Sequence, residues 1–338
     1  MKNFTKTGIL ALLIMTLTVF SLSAGGQQEQ APAESQSEAE EEKESFTPVE
    51  DESLTVDLLE VQWTDIASTT AATRIVLEAI GYETTSKIVA VPIVFQALEE
   101  EDADMFLGDW EPTMNNLSEE RIEDGSIDEV RVNLTGAKYT LAVPTYVAEG
   151  GLKSFEDIAD YGEELDYKIY GIEPGNDGNQ LIESMIEEDA FGLGDFELVE
   201  SSEAGMLAQV RAMTPDEEWL VFLGWEPHPM NSIYDITYLE DGDDYFGPDY
   251  GAATVHTLTR PGYTEENPNV GTFLENLEFS LKMENDIMKK IDDGMDAMDA
   301  AEEWLAANPA ILEEWLDGVT TVEGKPALPA VRSALGLE

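Results

Sequence analysis

Cysteine is absent from this chain. That one absence removes disulfides, thiolate nucleophiles, Cys-ligated metals and a lipid-modified cysteine anchor together. Histidine is nearly absent: His228 and His256 are the only two, too few and too far apart in sequence for a histidine-based metal centre. No metal or cofactor is expected. Cations are scarce, with 17 Lys and Arg against 72 Asp and Glu and a formal net charge of −55. Such a chain is repelled by nucleic acid and by anionic lipid surfaces. Its acids run along the whole length rather than clustering, which reads as a solvated, salt-adapted surface before it reads as an attractor of cations.

Long apolar runs are missing apart from residues 9–22. Lys2 and Lys6 precede that run and Ser23-Ala24-Gly25-Gly26 follow it, the tripartite pattern of a cleaved secretory leader, predicted over residues 1–24. The run is short and wrongly flanked for a membrane anchor. Catalytic motifs are missing as well: there is no Gly-x-Ser-x-Gly elbow, Walker loop or His-Glu-x-x-His. So acidic a chain never excludes a glycosidase-like carboxylate pair, but nothing singles one out. The chain does not read as an enzyme.

What is present is an ordinary globular composition, 43% apolar over 338 residues, enough for two domains or one large one. Residues 25–53 are Gln, Glu, Ser, Ala and Pro with almost no large apolar side chain, and are predicted to be a disordered acidic linker. Beyond them, apolar β-rich runs at 55–62, 88–91, 105–107, 129–134, 140–143, 168–172, 196–199, 220–223 and 254–259 alternate with helical patterns such as 68–80 and 154–161. That alternation predicts an α/β fold with parallel strands. Ser154 and Asp157 have capping-box spacing. From 268 to 316 the pattern turns almost wholly helical, with Trp304 and Trp315 at core spacing.

One phrase is spoken twice: FLGDWEPTMNN at 106–116 and FLGWEPHPMN at 222–231. Each copy runs an apolar strand into Gly, Trp and a Pro-broken turn, so Trp110 and Trp225 are predicted at strand C-terminal ends, where open α/β sheets bind ligands. Trp63 follows the strand at 55–62, and Tyr139 heads the strand at 140–143. A lone Trp is more often a core or rim residue, but three in one topological situation suggest a ring of aromatic faces. Such a ring is a receptor for a quaternary ammonium, each face adding about 0.5–2 kcal/mol. Residues 171–179, GIEPGNDGN, superficially resemble a phosphate loop. They lack its Lys and glycine spacing and carry acids, so a ligand-contacting turn is the better reading.

Five segments carry a closer likeness: Trp-Thr-Asp-Ile (63–66), the first phrase (106–114), Gly-Ala-Lys-Tyr-Thr (136–140), Tyr-Gly-Ile-Glu-Pro-Gly-Asn-Asp-Gly-Asn (170–179) and the second phrase (222–231). In these the chain resembles the choline-binding proteins of the ABC importer family that carries choline and glycine betaine, from about Thr55 onward. The resemblance implies a two-lobed periplasmic binding protein of type II, with two hinged lobes, two chain crossovers and a helical C-terminal part. It implies a trimethylammonium box of Trp63, Trp110, Tyr139 and Trp225, with Asp65 and Asn176 meeting the choline hydroxyl. Gln62 departs from the family's small residue before the first Trp, and the acidity exceeds the family's habit. Physics favours choline over betaine at Asp65, since a carboxylate accepts a hydroxyl proton and repels a second carboxylate.

The expected organisation is then 54–136 plus 236–338 as one lobe and 137–235 as the other, after the leader and linker. The expected function is choline binding and delivery to an inner-membrane permease and its ATPase, by a periplasmic monomer. Glycine betaine binding is the alternative within the class, and a secreted choline-ester hydrolase the alternative outside it.

Overall fold

A computed structural model describes residues 46–337. The expected leader, 1–24, and the linker as far as 45 lie outside the described residues. The last part of the stretch read as linker is tied down: Glu52 N donates to Glu266 O at 2.9 Å, Ser53 N to Asn267 Oδ1 at 3.0 Å, and Asn269 N to Asp51 Oδ1 at 2.9 Å. Short polar residues reach a helix start there, which a hydropathy reading does not see.

Among the described residues, nine strands form one sheet: β1 (Thr55–Glu60), β2 (Glu83–Ile88), β3 (Met105–Glu111), β4 (Asp128–Pro144), β5 (Lys168–Tyr170), β6 (Glu197–Val199), β7 (Val221–Glu226), β8 (Ile236–Tyr238) and β9 (Ala252–Thr259). Their order is β2-β1-β3-β9-β4-β7-β5-β6, with β8 also beside β4. The flanks are parallel, β1 with β2 and β3, and β5 with β6 and β7. The middle is antiparallel: β9 runs against β3 and β4, and β4 against β7 and β8. The sheet is therefore mixed rather than parallel, because β9 returns between β3 and β4 without a crossover helix.

Two expected strands are one. β4 continues for 17 residues through Gly136, which takes a left-handed φ of +77°. Its first half pairs β9 and its second half pairs β7 and β8. The strand expected at 88–91 lies earlier, at β2, whose Glu-Thr-Thr-Ser-Lys-Ile sequence is mostly exposed at the sheet edge. The apolar residues after it begin helix Val91–Glu99, with Pro92 in its first turn, where a missing N–H costs nothing.

Helix Thr64–Ile80 follows β1 and ends at Gly81, whose φ is +108°; Gly is the residue that tolerates this conformation. Helices Leu281–Asp292 and Ala297–Ala307 pack on it. Trp304 and Trp315 belong to this helical region, both buried, their indole N–H groups donating to Asp286 Oδ2 at 3.1 Å and Glu278 O at 3.0 Å. The Ser154/Asp157 capping box is present, opening a 3₁₀ helix, Phe155–Tyr161. Among the described residues no helix is long and apolar enough to cross a membrane.

Candidate functional site

Each aromatic of the doubled phrase sits one residue from the end of its strand, Trp110 in β3 and Trp225 in β7. The two copies differ by one inserted residue, Asp109, and the sheet absorbs it locally. Phe106 pairs Leu258 and Asp109 pairs His256, so β3 advances three residues while β9 advances two, a bulge. Because side chains alternate along a strand, an extra residue would otherwise turn Trp110 to the face opposite Leu107. Without an insertion, β7 runs regularly past β4, pairing Leu223 with Leu141 and Trp225 with Tyr139. Tyr139 is thus set directly across from one Trp, and its ring also meets the other.

These rings bound one cavity. Tyr139 stands edge-on to Trp110, with centroids 6.0 Å apart and planes at 64°, and to Trp225 at 6.3 Å and 82°. Rings so inclined wall a space from different sides instead of stacking it shut. The lining is Trp63, Asp65, Trp110, Tyr139, Ile172 and Trp225, a small, tightly walled space of the mostly aromatic kind that takes small ligands. Five of the six expected residues therefore meet at one cavity. The sixth, Asn176, is not part of the lining. It stands behind Tyr139, accepting the phenol O–H at 3.0 Å, and caps helix Asp177–Glu187 by accepting from Asn179 N at 3.1 Å.

Helix Thr64–Ile80 supplies the opposite wall. Trp63 occupies its N-cap position and Asp65 its first turn. Trp63 Nε1 donates to Glu173 Oε1 at 2.7 Å and Trp110 Nε1 to Asp65 Oδ2 at 3.2 Å. Both indoles are held by an N–H edge. Asp65 is 2% exposed, and its Oδ1 is buried without a hydrogen-bond partner. Burial, and then the charge of Glu203, raise its pKa to about 7, against the opposing effects of the Ile66 amide, His228 and Trp110. A buried acceptor left empty costs about 1–3 kcal/mol unless something fills it. The cavity therefore offers aromatic walls, one aliphatic contact from Ile172 and one acceptor. A small cation with an apolar shell and a hydroxyl donor fits that chemistry.

Three neighbours carry no distinguishing signal in the sequence. Ile172, which lines the cavity, and Glu173, which holds Trp63, lie in the segment GIEPGNDGN, whose pattern marks a ligand-contacting turn but not these two residues. Glu203 reaches the start of helix Thr64–Ile80 from far along the chain, and no spacing signal marks it. Of the two histidines, His228 lies in the second Trp turn and bonds Glu203. His256 lies on β9 between Glu111 and Glu129. Among the described residues no group of three His, Asp or Glu side chains is arranged to hold a metal.

Comparison with known proteins places this geometry. A solved choline-binding protein of an ABC transporter, in complex with choline, is 55% identical and superposes with a TM-score of 0.82, covering 84% of this chain and 98% of its own. A glycine betaine, L-proline-binding protein from Borrelia burgdorferi is 27% identical with a TM-score of 0.71, covering 77% of this chain and 96% of its own. A glycine betaine/carnitine transport binding protein from Listeria monocytogenes is 29% identical over 192 residues, 56% of this chain and 63% of that protein. Residues 55–307 match the family described as the substrate binding domain of the ABC-type glycine betaine transport system. The chain belongs to that family of non-catalytic substrate-binding proteins.

Proposed function

We propose that this protein captures choline outside the cytoplasm and delivers it to an ABC permease and its ATPase. The observation that carries the reading is the cavity itself: three indoles and a phenol surround it, and its one lining carboxylate, Asp65, has an unpartnered buried oxygen. The trimethylammonium lies among Trp63, Trp110, Tyr139 and Trp225, and the hydroxyl meets Asp65. Asn176 holds Tyr139 at the polar end. The likeness to a protein solved with choline supports this reading, and the leader pattern at 1–24 supports a periplasmic location.

The protein works as two lobes in this reading. Strands β1, β2, β3 and β9 with the C-terminal helices form one, and β5, β6, β7 and β8 the other. The chain passes between them along β4 and again after Phe246. The ring of Phe246 lies 5.9 Å from Phe155, which supports extending the second lobe beyond 235 to about residue 246. Trp63, Asp65 and Trp110 then come from one lobe, Tyr139 and Trp225 from the other, so ligand favours the closed form by population shift.

Titration calorimetry with choline, glycine betaine, acetylcholine and carnitine tests the assignment. Choline is expected to bind, and Trp110→Ala and Trp225→Ala each to weaken it by about tenfold or more, as one lost cation–π face of up to about 2 kcal/mol implies. No heat with choline, or wild-type affinity in both variants, would sink it. Glycine betaine is the second reading, favoured by the family match; it requires Asp65 to be protonated or to face away from the ligand's carboxylate.

A further inference from the structure

Glu203 does not line the cavity, yet its carboxylate bonds Thr64 and His228, which adjoin the lining residues Trp63, Asp65 and Trp225. It sits in the first turn of helix Glu203–Met213, 5% exposed. Its own helix does not need it as a cap, since Ser202 accepts from Gly205 N at 3.1 Å. It serves another helix instead. Helix Thr64–Ile80 begins at Trp63, which offers no side-chain acceptor to the first N–H groups. Glu203 supplies one: Oε2 accepts from Thr64 N at 3.1 Å and Oε1 from the Thr64 hydroxyl at 2.7 Å.

The same Oε1 lies 3.2 Å from His228 Nε2. Met230 N donates to His228 Nδ1 at 3.0 Å, so a neutral His228 carries its hydrogen on Nε2 and donates it to Glu203. Thr64 lies between Trp63 and Asp65, and the His228 ring stands edge-on to Trp225 at 4.9 Å and 67°. One buried carboxylate therefore ties the Trp63–Asp65 wall to the Trp225 wall, 139 residues away from one partner and 25 from the other.

Resting on the choline reading above, we propose that Glu203 is a positioning residue, the latch of the closed receptor: His228 of its own lobe holds the carboxylate in place, and its hydrogen bonds to Thr64 form as the two walls meet on the ligand and break as they part. Glu203 also raises the negative potential felt at Asp65. A cation between the walls offsets that repulsion, and a zwitterion offsets less of it. The latch thus closes more readily on choline than on glycine betaine.

Stopped-flow tryptophan fluorescence on the full protein, with choline and with glycine betaine, tests this. Glu203→Ala is expected to speed choline dissociation by about tenfold to a hundredfold, as loss of hydrogen bonds to a charged group implies, with little change in association rate and in the ligand-free Tm. Glu203→Gln keeps an acceptor for the Thr64 amide, so it should fall between wild type and Glu203→Ala and narrow the preference for choline. Thr64→Val, which removes one partner from the other side, should speed release less, and add nothing once Glu203 is Ala. Wild-type release rates in Glu203→Ala and Thr64→Val would overturn the latch. A lowered ligand-free Tm with unchanged release rates would also overturn it, leaving Glu203 a support of the fold. A wild-type protein that binds neither compound overturns the functional reading, and the latch with it.

Discussion

Asp65 is the ionisable carboxyl in the cavity lining. Burial raises its pKa from 3.8 to about 7, so with the walls closed and no ligand between them it takes up a proton that the unfolded chain has already released. The stabilisation of that closed form is complete below the unfolded value and is lost as pH rises toward the folded one. The empty closed form is therefore expected to lose stability from about pH 4 to about pH 7 on this residue's account. Choline affinity should move the other way, rising over the same window, because a cation favours the ionised carboxylate. Calorimetric titrations at stepped pH check this, and Asp65→Asn should flatten the profile; a slope that survives the substitution would assign it to another group. Asp65 and its aromatic neighbours were legible in the sequence because strand-end tryptophans are rare objects and the Trp-Thr-Asp-Ile segment carries a family likeness. Glu173 and Glu203 were not. In a chain with 72 acids, nothing local tells a carboxylate that bonds an indole or caps a distant helix from one that faces water.

At the level of elements, glycine marks where backbones and rings come close. A Cβ on Gly178 would clash with Tyr139 Oη and lie 3.1 Å from Leu223 Cδ2. Ala is the better helix former, so Gly178→Ala does not weaken helix Asp177–Glu187 locally; the overpacking, of about 1–3 kcal/mol, falls on Tyr139. It is expected to lower choline affinity by about tenfold, read by calorimetry beside a melting curve. Wild-type affinity would mean the phenol is not needed where it stands. Elements were mostly readable from periodicity: β1, β3, β7 and β9 fall where apolar runs predicted strands, and the capping box opens its helix. The failures have physical causes. β2 is a polar edge strand, exposed and rich in threonine, so it shows no apolar run. β4 joins the runs expected as separate strands at 129–134 and 140–143 because β9 pairs residues on both sides of Gly136, and the ladder absorbs that residue's left-handed φ as an irregularity between Leu134 and Ala137. The antiparallel middle of the sheet came from the long return of β9, which no local pattern encodes.

For the molecule as a whole, an excess of acids at a net charge of −55 means self-repulsion in the compact state. Salt screens it, the Debye length shrinking from about 30 Å at 0.01 M to about 3 Å at 1 M. The ligand-free Tm is therefore expected to rise with sodium chloride across that range, and a Tm that falls would show that the acids are balanced locally instead. One feature of the sheet limits how this protein can be taken apart. β4 is the common seam of both halves, bonded to β9 along its first stretch and to β7 and β8 along its second. Dividing the gene in a loop between β3 and β9 gives the seam to one piece and leaves the other with a raw edge of unpaired amides and carbonyls. A split-protein sensor built on this scaffold would then report strand insertion along with ligand. Circular permutation through an exposed loop, which keeps the seam intact, is the sounder route to such a device.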